Sequence, residues 1–457
     1  MSNEIRNPAS SLSRRSLLQR VGLGFGGLAL ADLLHAESAA AATGGLPQPH
    51  FAPKAKRVIF MFMSGGPSHV DMLDPKPAIK KYEGQRPGSV DLRTERVTGP
   101  LLPSPFAFER CGKSGVEISD LLPNLRNVAD DLCVLRSVHA SNPNHGPAIN
   151  FMVSGRIDQV HPALGAWVSY GLGTENQDLP GFVSLGSTFV PVQRSGYLPG
   201  EHQGTPIDLG QTEPEKMIAH LRNNRLDREA QRRQLAFLQK LNAAHQQQRG
   251  GDALLDARIR AMETAFRMQF AAGDAFDLRK ESEATRQQYG DGSFAKACLL
   301  ARRLVENGVR FVQITNGGWD HHDNIDVEIK KKCLEIDQPM AALVQDLKLR
   351  GLLEDTLVIW GGEFGRTPVS ENGNGRDHNH YGFSMWMAGG GVKSGYTYGA
   401  TDEFGFKAVE KPMSVHDLHA TILHLLGLDH EKLTYRYSGR DFRLTDVEGV
   451  VAKEILA

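Results

Sequence analysis

The side chains best suited to chemistry in this chain stand in clusters, each set against an apolar run. Ser64, Ser68, His69 and Asp71 follow Val58–Phe62, and Asp320, His321 and His322 follow Arg310–Thr315. Glu363 and Arg366 follow Thr356–Trp360, whereas Asp377, His378 and His380 precede Phe383–Ala388. Carboxylates and imidazoles gathered in this way suit a hard or borderline divalent ion, which draws on that mixture of ligands. Asp320 and His322, at i and i+2 beyond a run, can converge on one ion, with His321 turned away. Glu363 lies in a glycine-rich turn, where a carboxylate needs either a metal or an ion pair with Arg366. His378 and His380 share the i, i+2 spacing, which allows joint chelation or one ligand beside one acid/base group. Asp71 or His69 would supply a ligand after the first run, and Gly65-Gly66 would let backbone N–H groups approach an anion. His145, between Asn144 and Gly146, can act as nucleophile, ligand or general base.

The elements that must position these clusters follow from the runs themselves. Short apolar runs of this kind read as strands buried on both faces of a parallel sheet, whose carboxyl ends bind ligands. Strands are expected at Arg57–Met63, Leu132–Arg136, Phe182–Leu185, Arg310–Thr315, Thr356–Trp360 and Ser384–Ala388. Helices are expected at Ala295–Glu306, Asp326–Leu349 (kinked or divided at Pro339) and Ser414–Leu426. This alternation predicts an α/β fold, a mainly parallel central sheet flanked by helices. Residues 212–290, rich in Arg, Gln, Ala, Glu and Leu, predict a helical insertion packed on the sheet, or a helical pair that mediates oligomerisation.

Composition narrows the function classes. With 53 acidic against 52 basic residues, there is no electrostatic footprint for nucleic acid or an anionic membrane. Arg14-Arg15, the apolar glycine-rich stretch Val21–Ala31 and the small residues 38–42 read as a Tat-type signal peptide. Residues 1–42 are therefore expected to engage the Tat export machinery, leaving 43–457 as one domain in the periplasm or otherwise exported. No later apolar run is long enough for a membrane span. The four cysteines (Cys111, Cys133, Cys298, Cys333) form no C-x-x-C pair, leaving open either disulfides or buried thiols.

The motifs also carry a resemblance. S-G-G-P-S-H-V-D-M-L-D-P-K-P (64–77), N-H-G-P-A (144–148), A-R-R-L-V-E-N-G-V-R-F-V-Q (301–313), W-D-H-H-D-N (319–324), G-G-E-F-G-R-T-P (361–368) and F-S-M-W-M-A-G-G-G-V-K-S-G (383–395) resemble the sulfatase-like family filed as domain of unknown function 1501, in the alkaline phosphatase superfamily. The resemblance implies a sulfatase-like fold, a divalent metal (zinc, calcium or manganese) and a sulfate or phosphate ester substrate, small or polysaccharide. It implies metal ligation by Asp320, His322, Glu363, His378 and Asp71, with His145, His380 and Arg366 as catalytic candidates. The sulfatase nucleophile motif is altered: His145-Gly146-Pro147 runs to Ser154-Gly155-Arg156 with the family's spacing, but His145 replaces Cys or Ser and Ile149 replaces arginine. Formylglycine therefore has no precursor residue here, and a non-catalytic binding protein is the rival reading.

Overall fold

The computed structural model describes residues 48–219, 221, 225–249 and 253–457, so the expected signal lies outside the described residues. In chain order its principal elements are β1 (Arg57–Met63), β2 (Leu132–His139), α1 (His145–Ser154), α2 (Leu164–Leu172), β3 (Phe182–Leu185), β4 (Thr205–Ile207), α3 (Arg228–Arg249), α4 (Ala253–Ala275) and α5 (Ser293–Glu306). There follow β5 (Phe311–Asn316), α6 (Ile325–Leu349), β6 (Thr356–Gly361), β7 (Gly365–Glu371), β8 (Gly375–Asn379), β9 (Phe383–Ala388), β10 (Tyr396–Tyr398), β11 (Met413–Ser414) and α7 (Val415–Leu425). Nine strands form the central sheet in the order β10-β2-β9-β6-β1-β5-β3-β4, with β11 beside β2. Every pairing is parallel except those of β9, which runs antiparallel to both β2 and β6. That reversal explains why the Asp377–His380 cluster precedes its strand while the others follow theirs. The start of β9 lies where its neighbours end.

The sheet is buried on both faces, as the unbroken apolar runs require. Along β1, Ile59, Met61 and Met63 join one core with Cys298 and Leu300 of α5 and Cys333, Ile336 and Met340 of α6. Val58, Phe60 and Phe62 join the other with Ile149 and Met152 of α1, Trp167 of α2 and Leu418 and Ile422 of α7. Helix α6 runs unbroken through Pro339. The ring costs one backbone hydrogen bond there, but Ile336, Met340 and Leu343 on either side are wholly buried and keep the helix in one piece. All four cysteines are free and buried, so they serve as small apolar residues. The 212–290 segment contains α3 and α4, and no described helix is long and apolar enough to cross a membrane.

Candidate metal centre

Three strands deliver the core of the site from their carboxyl ends. The turn after β1 must pass very close to the turn after β5, and only glycine allows it. Gly65 has φ +121°, and a Cβ there would stand 2.7 Å from the backbone nitrogens of Trp319 and Asp320. From this position the Gly65 N–H donates to Glu363 Oε1 at 2.9 Å, tying the β1 turn to the β6 turn. The Gly65 donor is thus spent on Glu363.

Around Asp320 the geometry is concentrated on a single atom. Its Oδ1 lies 3.2 Å from His145 Nε2, 2.9 Å from His322 Nε2 and 3.0 Å from His378 Nε2. The opposite nitrogen of each ring meets an acceptor. His145 Nδ1 is 2.7 Å from Glu363 Oε1, and His322 Nδ1 is 2.5 Å from Glu371 Oε2. His378 Nδ1 lies 2.7 Å from the Pro143 carbonyl and 2.5 Å from Glu95 Oε2. A neutral imidazole that donates from Nδ1 carries a lone pair on Nε2. Three lone pairs aimed at one carboxylate oxygen repel unless a second proton on each ring or a shared cation lies between them. His145 Nε2, His322 Nε2 and Glu363 Oε2 are buried and, among the described residues, have no partner in well-aligned hydrogen-bond geometry, the state expected of ligand atoms. His145, Asp320 and His378 can offer ligand atoms within 4.8 Å of one another, and His322, Asp377 and His378 form a second such group.

The electrostatics answer the same arrangement. Burial opposes ionisation of Asp320, yet the three histidines and the Arg366 charge hold its carboxyl far below the usual range. Burial likewise disfavours protonation of His145, but its bonds to Asp320 and Glu363 outweigh this and raise it to about 9. His322 is also raised against burial, by Asp320 and Glu371. His378 is lowered, because burial with the nearby Arg366 and His145 charges outweighs its bond to Asp320.

Several residues expected at the site are placed otherwise. Arg366 is fully buried, and its guanidinium is spent on the Gly65, Gly66, Trp319 and Arg376 carbonyls and on Asp320 Oδ1 at 2.6 Å. It braces Asp320 from a fully buried position. Asp71 stands apart as the bidentate partner of Arg376, at 2.8 and 3.1 Å, with Ser68 Oγ donating at 2.5 Å. His69 Nε2 bonds the Gly405 carbonyl at 2.7 Å. The His380 ring lies 4.0 Å from the Tyr381 ring at a tilt of 34°, and burial beside His139 lowers it to about 4, outside the group around Asp320. His416 is held by the Gly155 carbonyl and Glu448, beyond the far end of α1.

Glu371, Glu95 and Arg96 take part without standing out in the sequence. Arg96 Nη1 meets Glu371 Oε1 at 3.2 Å, and its backbone N–H donates to Asp377 Oδ2 at 2.7 Å. Glu371 ends β7 at the far end of a hairpin, and Glu95 lies in a stretch without regular structure. The nearest signal was the acidic, basic and histidine content of the two hairpin strands.

Among solved structures, the fold is similar to a sulfatase from Pseudoalteromonas sp. (PsFucS1), with 13% identity and a TM-score of 0.36 over 86% of this chain and 70% of that one. It is also similar to the lipoteichoic acid synthase LtaP from Listeria monocytogenes, with 10% identity and a TM-score of 0.33 over 86% and 76% of the two chains. A third is the phosphonate monoester hydrolase from Silicibacter pomeroyi, with 10% identity and a TM-score of 0.30 over 81% and 73%. No curated protein matches the chain. Residues 55–456 match the family described as "Protein of unknown function (DUF1501)", and the chain belongs to that family.

Proposed function

We propose that this chain is a metal-dependent hydrolase of sulfate or phosphate esters. Its divalent ion is held by His145, His378 and the Asp320 carboxylate, with the His322 ring positioning Asp320 from the other side. The observation that carries the reading is the convergence of three carboxylate-backed imidazoles on one carboxylate oxygen, an arrangement that suits a shared cation. Backing of this kind fixes the tautomer and raises ligand basicity, a recurring feature of metal-binding histidines. Glu363, Glu371 and Glu95 therefore act as orienting groups, and Glu363 Oε2 offers a further donor. So imidazole-rich a set favours zinc over manganese or calcium.

When bound, such an ion supplies Lewis acidity toward an ester oxygen and a water-derived nucleophile at neutral pH. The chain's own residues do the rest. The side chains of Asp320 and His145 remain 43% and 21% exposed, which leaves the centre open to an incoming ester, as a catalytic site requires and a closed structural site does not. The first turn of α1, whose Asn144 cap makes no side-chain bond, presents its partial positive charge beside His145 for an anionic oxygen. With His145 as a ligand, no side-chain nucleophile stands at that position, so direct attack by water replaces a covalent intermediate. Export by the Tat route belongs to the same proposal and rests on Arg14-Arg15 and the apolar stretch after them.

The test is elemental analysis of natively purified protein after a mild chelator wash. Turnover of sulfate, phosphate and phosphonate monoesters is then measured under zinc, manganese and calcium. About one retained ion per chain, lost in Asp320→Ala, together with metal-dependent turnover, is the expected result. Neither retained metal nor turnover under any of the three ions overturns the reading.

A further inference from the structure

We infer that Phe189 is a stacking platform for the ring of the alcohol carried by the ester, so that the proposed site takes esters of cyclic alcohols rather than open-chain ones. This rests on the hydrolase reading and extends it to the substrate class. Phe189 lies in the loop that leaves the carboxyl end of β3, and it is 70% exposed. The exposure is imposed by anchored neighbours. Gly186, at φ +81°, packs so tightly that a Cβ would meet the Thr315 carbonyl oxygen at 2.6 Å. Thr188 Oγ1 is 3.4 Å from Ser64 Oγ, one residue before the glycine that holds Glu363. Val190 and Val192, both 1% exposed, fix the other end in the core.

Between these anchors the Phe189 ring lies beside the first turn of α1, which carries His145. A Cβ built on Gly146, the residue after His145, would lie 3.8 Å from Phe189 Cε2. An apolar face at the rim of a polar centre is the arrangement that sites use to grip one part of a ligand while polar groups orient another. The anionic ester group would be held at the centre while the ring covers Phe189. A pyranose and a phenyl ring share the required chemistry, a flat face of C–H or π character.

The experiment uses zinc-reconstituted protein and isothermal titration. Glucose 6-phosphate serves as the sugar arm, phenyl phosphate as the aryl arm and glycerol 3-phosphate as the open-chain arm. The matching sulfates are run in parallel, with inorganic phosphate and sulfate as anion-only controls. The protein is expected to bind at least one ring ester about tenfold more tightly than the open-chain ester. Phe189→Ala is expected to abolish that margin without changing affinity for inorganic phosphate, and Phe189→Tyr to keep it. The arm that loses its margin identifies the ring. Absence of a margin in the parent protein, or a margin that survives Phe189→Ala, overturns the inference. A ring margin without turnover of any ester would sink the hydrolase reading and leave the platform standing; turnover without a margin would do the reverse.

Discussion

Asp71→Asn separates two roles for a residue that the sequence places among the metal ligands. Asp71 and Arg376 are both 0% exposed and meet through two hydrogen bonds of 2.8 and 3.1 Å. Burial pushes the Asp71 carboxyl up, but the Arg376 charge and the bonds from Arg376 and Ser68 outweigh it and hold it below the usual range. The asparagine is nearly isosteric and its amide oxygen can still accept one guanidinium N–H, but its NH2 faces the other and the buried guanidinium keeps only neutral acceptors, among them the Thr367 and Leu102 carbonyls. Breaking one side of a buried pair costs roughly 3–5 kcal/mol. With a urea m-value on the order of 3 kcal/mol/M, the midpoint should fall by about 1–1.7 M. The assay is urea unfolding of chelator-treated protein, with zinc affinity of the folded protein measured alongside. The expected result is the drop in midpoint with zinc affinity unchanged. An unchanged midpoint with zinc affinity lost would refute the assignment and restore Asp71 as a ligand.

The remaining predictions concern the centre and the acid limb of stability. Glu371→Gln leaves His322 without its anionic acceptor and should weaken zinc binding about 10–100-fold, read by competition with a chromophoric chelator, while the fold stays intact. Gly65→Ala must hold φ +121° and press a methyl 2.7 Å from the Trp319 and Asp320 nitrogens. Backbone strain alone costs roughly 1–3 kcal/mol, so both melting temperature and metal occupancy should fall. Burial lowers His419 to about 3, with the His416 charge acting in the same direction against its bond to the Met152 carbonyl. A folded value below the unfolded one, about 6.5, means that its stabilising contribution is complete above pH 6.5 and is lost as pH falls toward the folded value. His419→Gln should therefore flatten the stability profile of chelator-treated protein between pH 6.5 and 4 by about 1.4 kcal/mol per pH unit. An unchanged slope would show that the ring is not held neutral.

Much of the frame is legible in local pattern. Strands buried on both faces need unbroken apolar runs, so β1, β3, β5, β6 and β9 stand out, and the helices between them carry caps that mark their ends. The ends of α6 and α7 lie within a residue or two of those expected from Gly351, Ser414 and Gly427. Of the two outcomes expected at Pro339, division of the helix did not follow, because buried neighbours on both sides of a long helix outweigh one missing hydrogen bond. The direction of β9 was equally hidden. An apolar run reads the same in either direction, and only its pairing with β2 and β6 shows the reversal.

The sequence by itself determined which residue types stand at the strand ends, because a polar cluster abutting an apolar run must lie where the run leaves the core. It therefore placed Asp320, His322 and Glu363 at the carboxyl ends of their strands, whereas His378 joins them only because β9 runs antiparallel. The tertiary structure decided which of the clustered groups meet and what each one faces. Asp71 and Arg366 have the same local surroundings as the residues around the centre, yet one is held by Arg376 and the other is spent on four carbonyls and Asp320. His145 joins Asp320 and Glu363 from the start of α1, and Glu95 reaches His378 from a distant irregular segment. Partners of this kind are chosen by distance through space. A hydrogen bond or metal ligand depends on a few ångströms of approach, and those are set by how turns such as Gly65 pack against their neighbours.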